Sequence, residues 1–471
     1  MKKTLIWILT VVLCISMGVS LSLTGCKGAA TETTAAGETT AAAETTVVVE
    51  TTAAETVSDE PITITWWWGG SWDIWDLDIW VNETIDKYQK LHPNVTIEAV
   101  AQTSESLYPA IDGAVESGVG PDICFFWDGI WILEYVWKGV FVPIDQYWSQ
   151  DEIAETVYNK DEMFDGHLWK INMYTSGKPL VYNKKLFTQA GLDPNKPPTN
   201  KEEFLNTCAA LKAAGIAPFA VGLKDMWTGG WLASYFGQQY LDSGQDMKKF
   251  VVGDYNYVTD TKFSKWWYDV EDMLKKGYFN DDAMSLEINN GWELVNQGKA
   301  AMTVPTETVV PSWIEMVGED TIGVAKFPAI GDGALANAYC MEVNGHGITK
   351  WSKNPQAAAD FLKFTHSQEV IDRFYEITGS IPADRKFDSS KIKTEQMKKV
   401  WELVNGTAVL PMEDIYPIML DNEGAFIGAQ KLFSGESTAD EVIQLQQQVI
   451  EKWRKELPDF VEKYKQWIGT S

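Results

Sequence analysis

Histidine is scarce in this chain: His92, His167, His346 and His366 are the only four in 471 residues, each isolated in sequence. No His-Glu-x-x-His and no Cys-x-x-Cys occurs, so the spacings that build a dedicated zinc site are missing and no metal is expected. A Gly-x-Ser-x-Gly elbow for a nucleophilic serine is missing too. Gly298-Lys299-Ala300 has neither the glycine spacing nor the following hydroxyl of a phosphate-binding loop, and no cofactor is expected. Positive charge is short, with 39 Lys and Arg against 66 Asp and Glu, a formal net charge of −27. No basic stripe survives that background, which excludes nucleic acid as a partner. Paired carboxylates for glycoside hydrolysis are the one catalytic arrangement that so many acids leave open, and no pair stands out.

Aromatic residues, by contrast, are abundant: 22 Trp, 17 Tyr and 19 Phe. Core packing accounts for many of them, and a surplus of flat amphipathic faces suits a ligand that is itself flat and partly apolar. The informative stretch is Gly118-Val119-Gly120-Pro121-Asp122-Ile123-Cys124-Phe125-Phe126-Trp127-Asp128-Gly129. A Gly-Pro turn releases a short apolar run with the length and composition of a buried parallel strand. The run ends in an aromatic ring, a carboxylate and a glycine, and ligands in open α/β sheets bind beyond the carboxyl ends of strands. A second stretch repeats the pattern: Ile62-Thr63-Ile64-Thr65-Trp66 alternates like a strand and runs into Trp67-Trp68-Gly69-Gly70-Ser71-Trp72-Asp73. Between the two, helical spacing over 80–91, a strand over 95–100 and a helix over 106–117 complete a doubly wound α/β start.

The amino terminus is an address. Lys2 and Lys3 precede an apolar run over residues 5–23 that ends in Leu23-Thr24-Gly25-Cys26, a secretory pattern. It resembles the lipobox of bacterial lipoproteins, which implies cleavage of residues 1–25 and lipidation of Cys26. Residues 26–60 are Thr, Ala and Glu repeats too poor in apolar bulk to fold, hence a disordered tether. Its r.m.s. reach is roughly 30 Å. With Cys14 removed and Cys26 lipidated, Cys124, Cys208 and Cys340 remain. Three cannot all pair internally, so buried free thiols are expected.

From Pro61 onward the chain resembles the family 1 extracellular solute-binding proteins, the sugar-capturing components of ATP-binding-cassette (ABC) importers. The resemblance rests on Leu91-His92-Pro93-Asn94-Val95, Gly120-Pro121-Asp122-Ile123, Lys178-Pro179-Leu180-Val181-Tyr182-Asn183, Pro197-Pro198-Thr199-Asn200, Gln297-Gly298-Lys299-Ala300-Ala301-Met302 and Ala357-Ala358-Ala359-Asp360-Phe361-Leu362, in that order. It implies a two-lobed α/β fold of the periplasmic-binding-protein type II, with the ligand cleft between the lobes. The first lobe is expected from residues 61–172 and 336–378, the second from 173–335 and 379–471. It implies a monomeric binder, no enzyme, that captures a mono- or oligosaccharide at the outer face of the cell membrane and delivers it to permease subunits.

A sugar offers C–H faces for aromatic rings and a rim of hydroxyls for polar groups. Strand-end position and the resemblance together favour Trp127, Asp128, Trp68, Gly69 and Trp72. Tyr174, at the crossing between lobes, and Trp227 and Trp231, in a glycine-bent loop, are further candidates. After Met302, family members often place a Gly and a Trp against the sugar. Here Thr303-Val304-Pro305-Thr306-Glu307 stands in that place, which suggests Glu307 as a hydroxyl acceptor or as the partner of a cationic group. Tyr339 and Glu342, on the strand that returns to the first lobe, complete the set. Two other readings compete: a binder of a cationic, non-sugar solute, and a surface glycoside hydrolase.

Overall fold

The computed structural model describes residues 60–157, 162–225 and 228–470. The leader, the tether with Cys26, and Trp227 lie outside them. Among the described residues, no helix is long and apolar enough to cross a membrane.

Strand β1 (Ile62–Trp68) follows from alternation: Ile64, Trp66 and Trp68 are buried on one face. The β-branched and aromatic residues favour a pleated surface. The helix Leu77–Leu91 covers it through Trp80, Val81 and Tyr88 and leads to β2 (Val95–Ala101), which pairs in parallel with β1 along its full length. A capping box between Thr103 and Ser106 then starts the helix Ser104–Ser117, and Gly118 ends it in the left-handed region. Strand β3 (Ile123–Phe126) is buried at every position and pairs in parallel with β1. This is what an apolar run between two covering layers requires.

The remaining strands come from distant parts of the chain. They are β4 (Ile171–Gly177), β5 (Leu180–Asn183), β6 (Ala217–Phe219), β7 (Ala300–Thr303), β8 (Ile322–Ala325), β9 (Tyr339–Ile348) and β10 (Ala408–Val409). The larger sheet runs β10-β9-β3-β1-β2, with β4 also paired to β9, and the smaller runs β6-β7-β5-β8. Strand β9 lies antiparallel to both β3 and β4, and a one-residue irregularity at Asn172/Tyr174 bends β4. Each sheet centres one lobe of an α/β fold, as expected. The chain passes from the larger sheet to the smaller at Gly177-Lys178-Pro179, between β4 and β5, and returns between β8 and β9.

Local signals hold in the second lobe as well. Asn200 caps the helix Lys201–Ala213, with Glu202 and Glu203 in its first turn, where carboxylates suit the helix dipole. The helix pair Pro355–Thr365 and Gln368–Thr378 follows β9. It packs on the first lobe, where Val370 accepts a hydrogen bond from the Trp80 indole at 3.1 Å. The long helix Ala439–Glu456 opens with a capping box at Thr438. The last helix, Pro458–Thr470, reaches back to the first lobe, and Lys463 donates to the Trp137 carbonyl at 2.7 Å. Cys124, Cys208 and Cys340 are buried and free, as the thiol count suggested.

Candidate functional site

Beyond the carboxyl ends of β1, β2 and β3 the two lobes face each other across a cavity of about 350 Å³. That is within the range of small-molecule sites. The loop after β1 contributes Trp72 and Asp73, the helix start after β2 contributes Thr103, Ser104 and Glu105, and the loop after β3 contributes Trp127. Ser176 at the end of β4 and Glu342 and Asn344 on β9 form the floor. The second lobe adds Asp225, Trp231, Glu287, Asn289, Trp292 and Thr306, and the segment after β10 adds Glu413 and Asp414.

Five indoles make the walls. Trp127 is half-buried and stacked between Trp72 (centroids 5.4 Å, 28°) and Tyr108 (5.4 Å, 18°). Trp131 lies on the helix that starts after Gly129. Opposite, Trp231 packs at 5.3 Å from Trp292 and is pinned by an indole hydrogen bond to the Val304 carbonyl at 2.7 Å. Asn289 donates to the Trp72 carbonyl at 3.0 Å and so ties the second lobe to the loop after β1. Gly129 has φ 56°, and a Cβ there would sit 2.1 Å from the Asp414 carbonyl oxygen. Only glycine lets the late segment 411–414 approach this close.

Seven carboxylates border the cavity, and none of the bordering residues is Lys or Arg. Glu287 pairs with Lys224 at the rim, 2.9 Å away. Glu413 and Glu342 share one buried cation, the Lys178 ammonium, at 2.9 and 3.8 Å. That ammonium also lies 3.8 Å from the centre of the Trp231 ring. Burial would lower the Lys178 pKa, but the two glutamates outweigh it and push it up. Asp73 and Asp414 have no such partner. Asp73 is pushed up to about 7 by burial, against hydrogen bonds from Thr308 and Thr306 and with help from Glu342. Asp414 is raised well above the carboxylate range by burial, then by Glu342 and Glu413. The Asp73 Oδ1 and both Asp414 carboxylate oxygens are buried with no hydrogen-bond partner among the described residues.

Of the residues singled out from sequence, Trp72, Trp127, Trp231 and Glu342 stand at the cavity. The others stand behind it, and Trp227 lies outside the described residues. Asp128 is fully buried, accepts from the Gly129 and Val343 amides at 2.8 and 3.2 Å, and faces Lys170 at 3.7 Å. It fastens the loop after β3 to β9. Trp68 packs in the core, and Gly69 leaves room for the Trp72 and Phe125 rings. Tyr174 is buried against Phe125, its hydroxyl beside Gly70. Glu307 accepts hydrogen bonds from Thr175 and, at 2.8 Å, from the Tyr339 hydroxyl. All three are buried at the crossing between the sheets. Asp73 adjoins a predicted tryptophan and was legible at the strand end. Asn289 and Trp292 sit on an amphipathic helix that reads as core, and Glu413-Asp414 carry no local signal at all.

Among the described residues, no group of three or more His, Cys, Asp or Glu is placed to hold a metal ion. The family model for bacterial extracellular solute-binding proteins matches residues 74–370. An uncharacterized ABC transporter extracellular-binding protein of Pyrococcus horikoshii is 23% identical over 75% of this chain and 81% of its own. Among solved structures, a chitin oligosaccharide binding protein superposes with a TM-score of 0.73 at 19% identity, over 83% of this chain and 98% of that one. A bacterial solute receptor described as preferring β-D-galactopyranose does so with a TM-score of 0.71 at 17% identity, over 84% and 99%. At these identities the structural likeness is one of fold.

Proposed function

The chain belongs to the bacterial extracellular solute-binding proteins, and from that premise we propose that it captures a carbohydrate outside the cytoplasm for an ABC importer. The observation that carries this reading is the cavity wall: indole faces on both lobes, with carboxylates and amides between them. Stacked rings take the C–H faces of a sugar, and the polar groups take its hydroxyls. The same wall disfavours an anionic solute, because acidic side chains border the cavity and no Lys or Arg does. On this reading the protein returns its solute unchanged, so a radiolabelled ligand recovered from the complex is chemically intact.

The ligand-contacting residues are Trp72, Trp127, Trp231 and Glu342, with Asp128 and Tyr174 positioning their loops. The lobes meet near residues 173 and 336 and again after 378. Trp127→Ala is expected to weaken binding about ten- to a hundred-fold, the value of one buried aromatic face. The melting temperature of the empty protein should change little. Trp66→Ala, at a core position on the same strand system, should instead lose melting temperature first. Calorimetric titration against a saccharide library, with melting of both variants, decides between these patterns. Unchanged affinity in Trp127→Ala would remove this cavity as the sugar site.

The protein is held as a monomer at the outer membrane face by lipid on Cys26. The support is the apolar run ending in Leu23-Thr24-Gly25-Cys26. Cys26→Ala should abolish labelling by a palmitate analogue in cells. Persistent labelling of the variant would rule the anchor out.

A further inference from the structure

The charge of the cavity exceeds what hydroxyl recognition needs. A neutral sugar is satisfied by carboxylates that are themselves satisfied, or by amides and hydroxyls. Here Asp73 and Asp414, 4% and 1% exposed, border the cavity, and among the described residues Asp73 Oδ1 and both Asp414 oxygens are buried without a hydrogen-bond partner. Glu342 stands close enough to raise both. The Lys178 ammonium is already shared between Glu342 and Glu413. Leaving polar oxygens buried and unpaired is costly, and the cost is larger when they ionise beside one another. A bound cation removes that cost. The walls suit a cation too, because indole faces attract ammonium groups, as Trp231 already does for Lys178.

We infer that the solute of this site carries an ammonium group, seated between Asp73, Glu342 and Asp414 against the tryptophan faces, and that its class is an amino sugar or amino-sugar oligosaccharide with free amines. The inference rests on the carbohydrate reading above and narrows it. Rings supply the faces that five indoles require, and a free amine supplies the charge that the unpaired carboxylates require. N-acylation would abolish that charge while leaving the rings unaltered.

The test is calorimetric titration of the full-length protein with matched probes. These are glucosamine, galactosamine and mannosamine and the β-1,4-linked glucosamine trisaccharide, each beside its N-acetylated form and its neutral hydroxyl counterpart, with spermidine as a cation that lacks a ring. A free-amine saccharide should bind at least about ten-fold more tightly than its acetylated and neutral counterparts. The preference should shrink as salt is raised. Asp414→Asn should abolish most of the preference of free-amine over neutral saccharide, and Asp73→Asn provides the same reading if the first variant folds poorly. Equal or tighter binding of a neutral or acetylated sugar would overturn the inference and leave the carbohydrate reading standing. Binding of spermidine with no saccharide bound would uphold the ammonium site and overturn the carbohydrate reading. If no probe binds, both fall.

Discussion

Replacing Lys178 with methionine should destabilise the protein by about 3–5 kcal/mol near neutral pH, the usual result of removing one partner from a buried ion pair. The side chain is fully buried, and its ammonium is the only cation paired with either Glu342 or Glu413 among the described residues. Methionine has similar length and would fill the space beneath Trp231, so lost packing is a minor part of the effect. What remains is two glutamates and Asp414 facing one another without a counter-charge. Two further measurements separate charge from packing. Denaturant unfolding of Lys178→Met should show a smaller deficit at about pH 5 than at about pH 7.5, because the carboxylates can then take up protons. The double variant Lys178→Met with Glu413→Gln should recover part of the loss. A deficit that is the same at both pH values, with no recovery in the double variant, would mean that the ammonium stabilises by volume alone.

The empty protein should melt several degrees higher near pH 5 than near pH 7.5. Burial is the leading cause that raises Asp73, Glu134, Glu307 and Glu413, each to about 7. In the unfolded chain such carboxyls release their protons at about 4. Between about 4 and 7 the fold therefore binds more protons than the unfolded chain, and stability falls as pH rises. The contribution is fully present below the unfolded pKa and is lost by the time pH passes the folded one. His346 acts oppositely. Burial, aided by His366 and Lys170, lowers it to about 3, so its contribution is lost as pH falls below about 6.5. One such group does not offset four carboxyls that each carry a shift of about two to three units, at about 1.4 kcal/mol per unit. Exposed carboxylates with lowered pKa, such as Glu203 and Glu441, act below this window. A melting temperature that rises steadily from about pH 5 to pH 7.5 would show that these carboxyls are ionised in the fold.

The first lobe was legible because its strands carry period-two patterns and its cavity-lining residues follow directly at strand ends. Trp72 and Trp127, which that rule singles out, border the cavity, and so does Asp73, which the rule also reaches. The rule does not say whether a side chain one residue further along turns into the cavity or into the sheet. Asp128 lies next to Trp127, yet two backbone amides and Lys170 draw it inward. Glu307 occupies a position where the family often has a ligand-facing Trp. The hydroxyls of Thr175 and Tyr339, brought there by strands from other parts of the chain, hold its carboxylate at the crossing. Glu413 and Asp414 follow Pro411 in a single short helical turn. They reach the cavity only because Gly129 has no side chain to hold them off. No sequence window contains both ends of that contact.

Strand β9 also dictates the order in which the chain can fold. It pairs with β3, β4 and β10, yet it ends at residue 348, after most of the chain has been synthesised. Until then β3 has β1 on one edge and nothing on the other, and β4 has no strand to join. Contacts between segments so far apart in sequence close slowly, because the entropy of the loop is lost before the contact forms. A nascent chain of this topology stays open until its carboxyl-terminal third arrives.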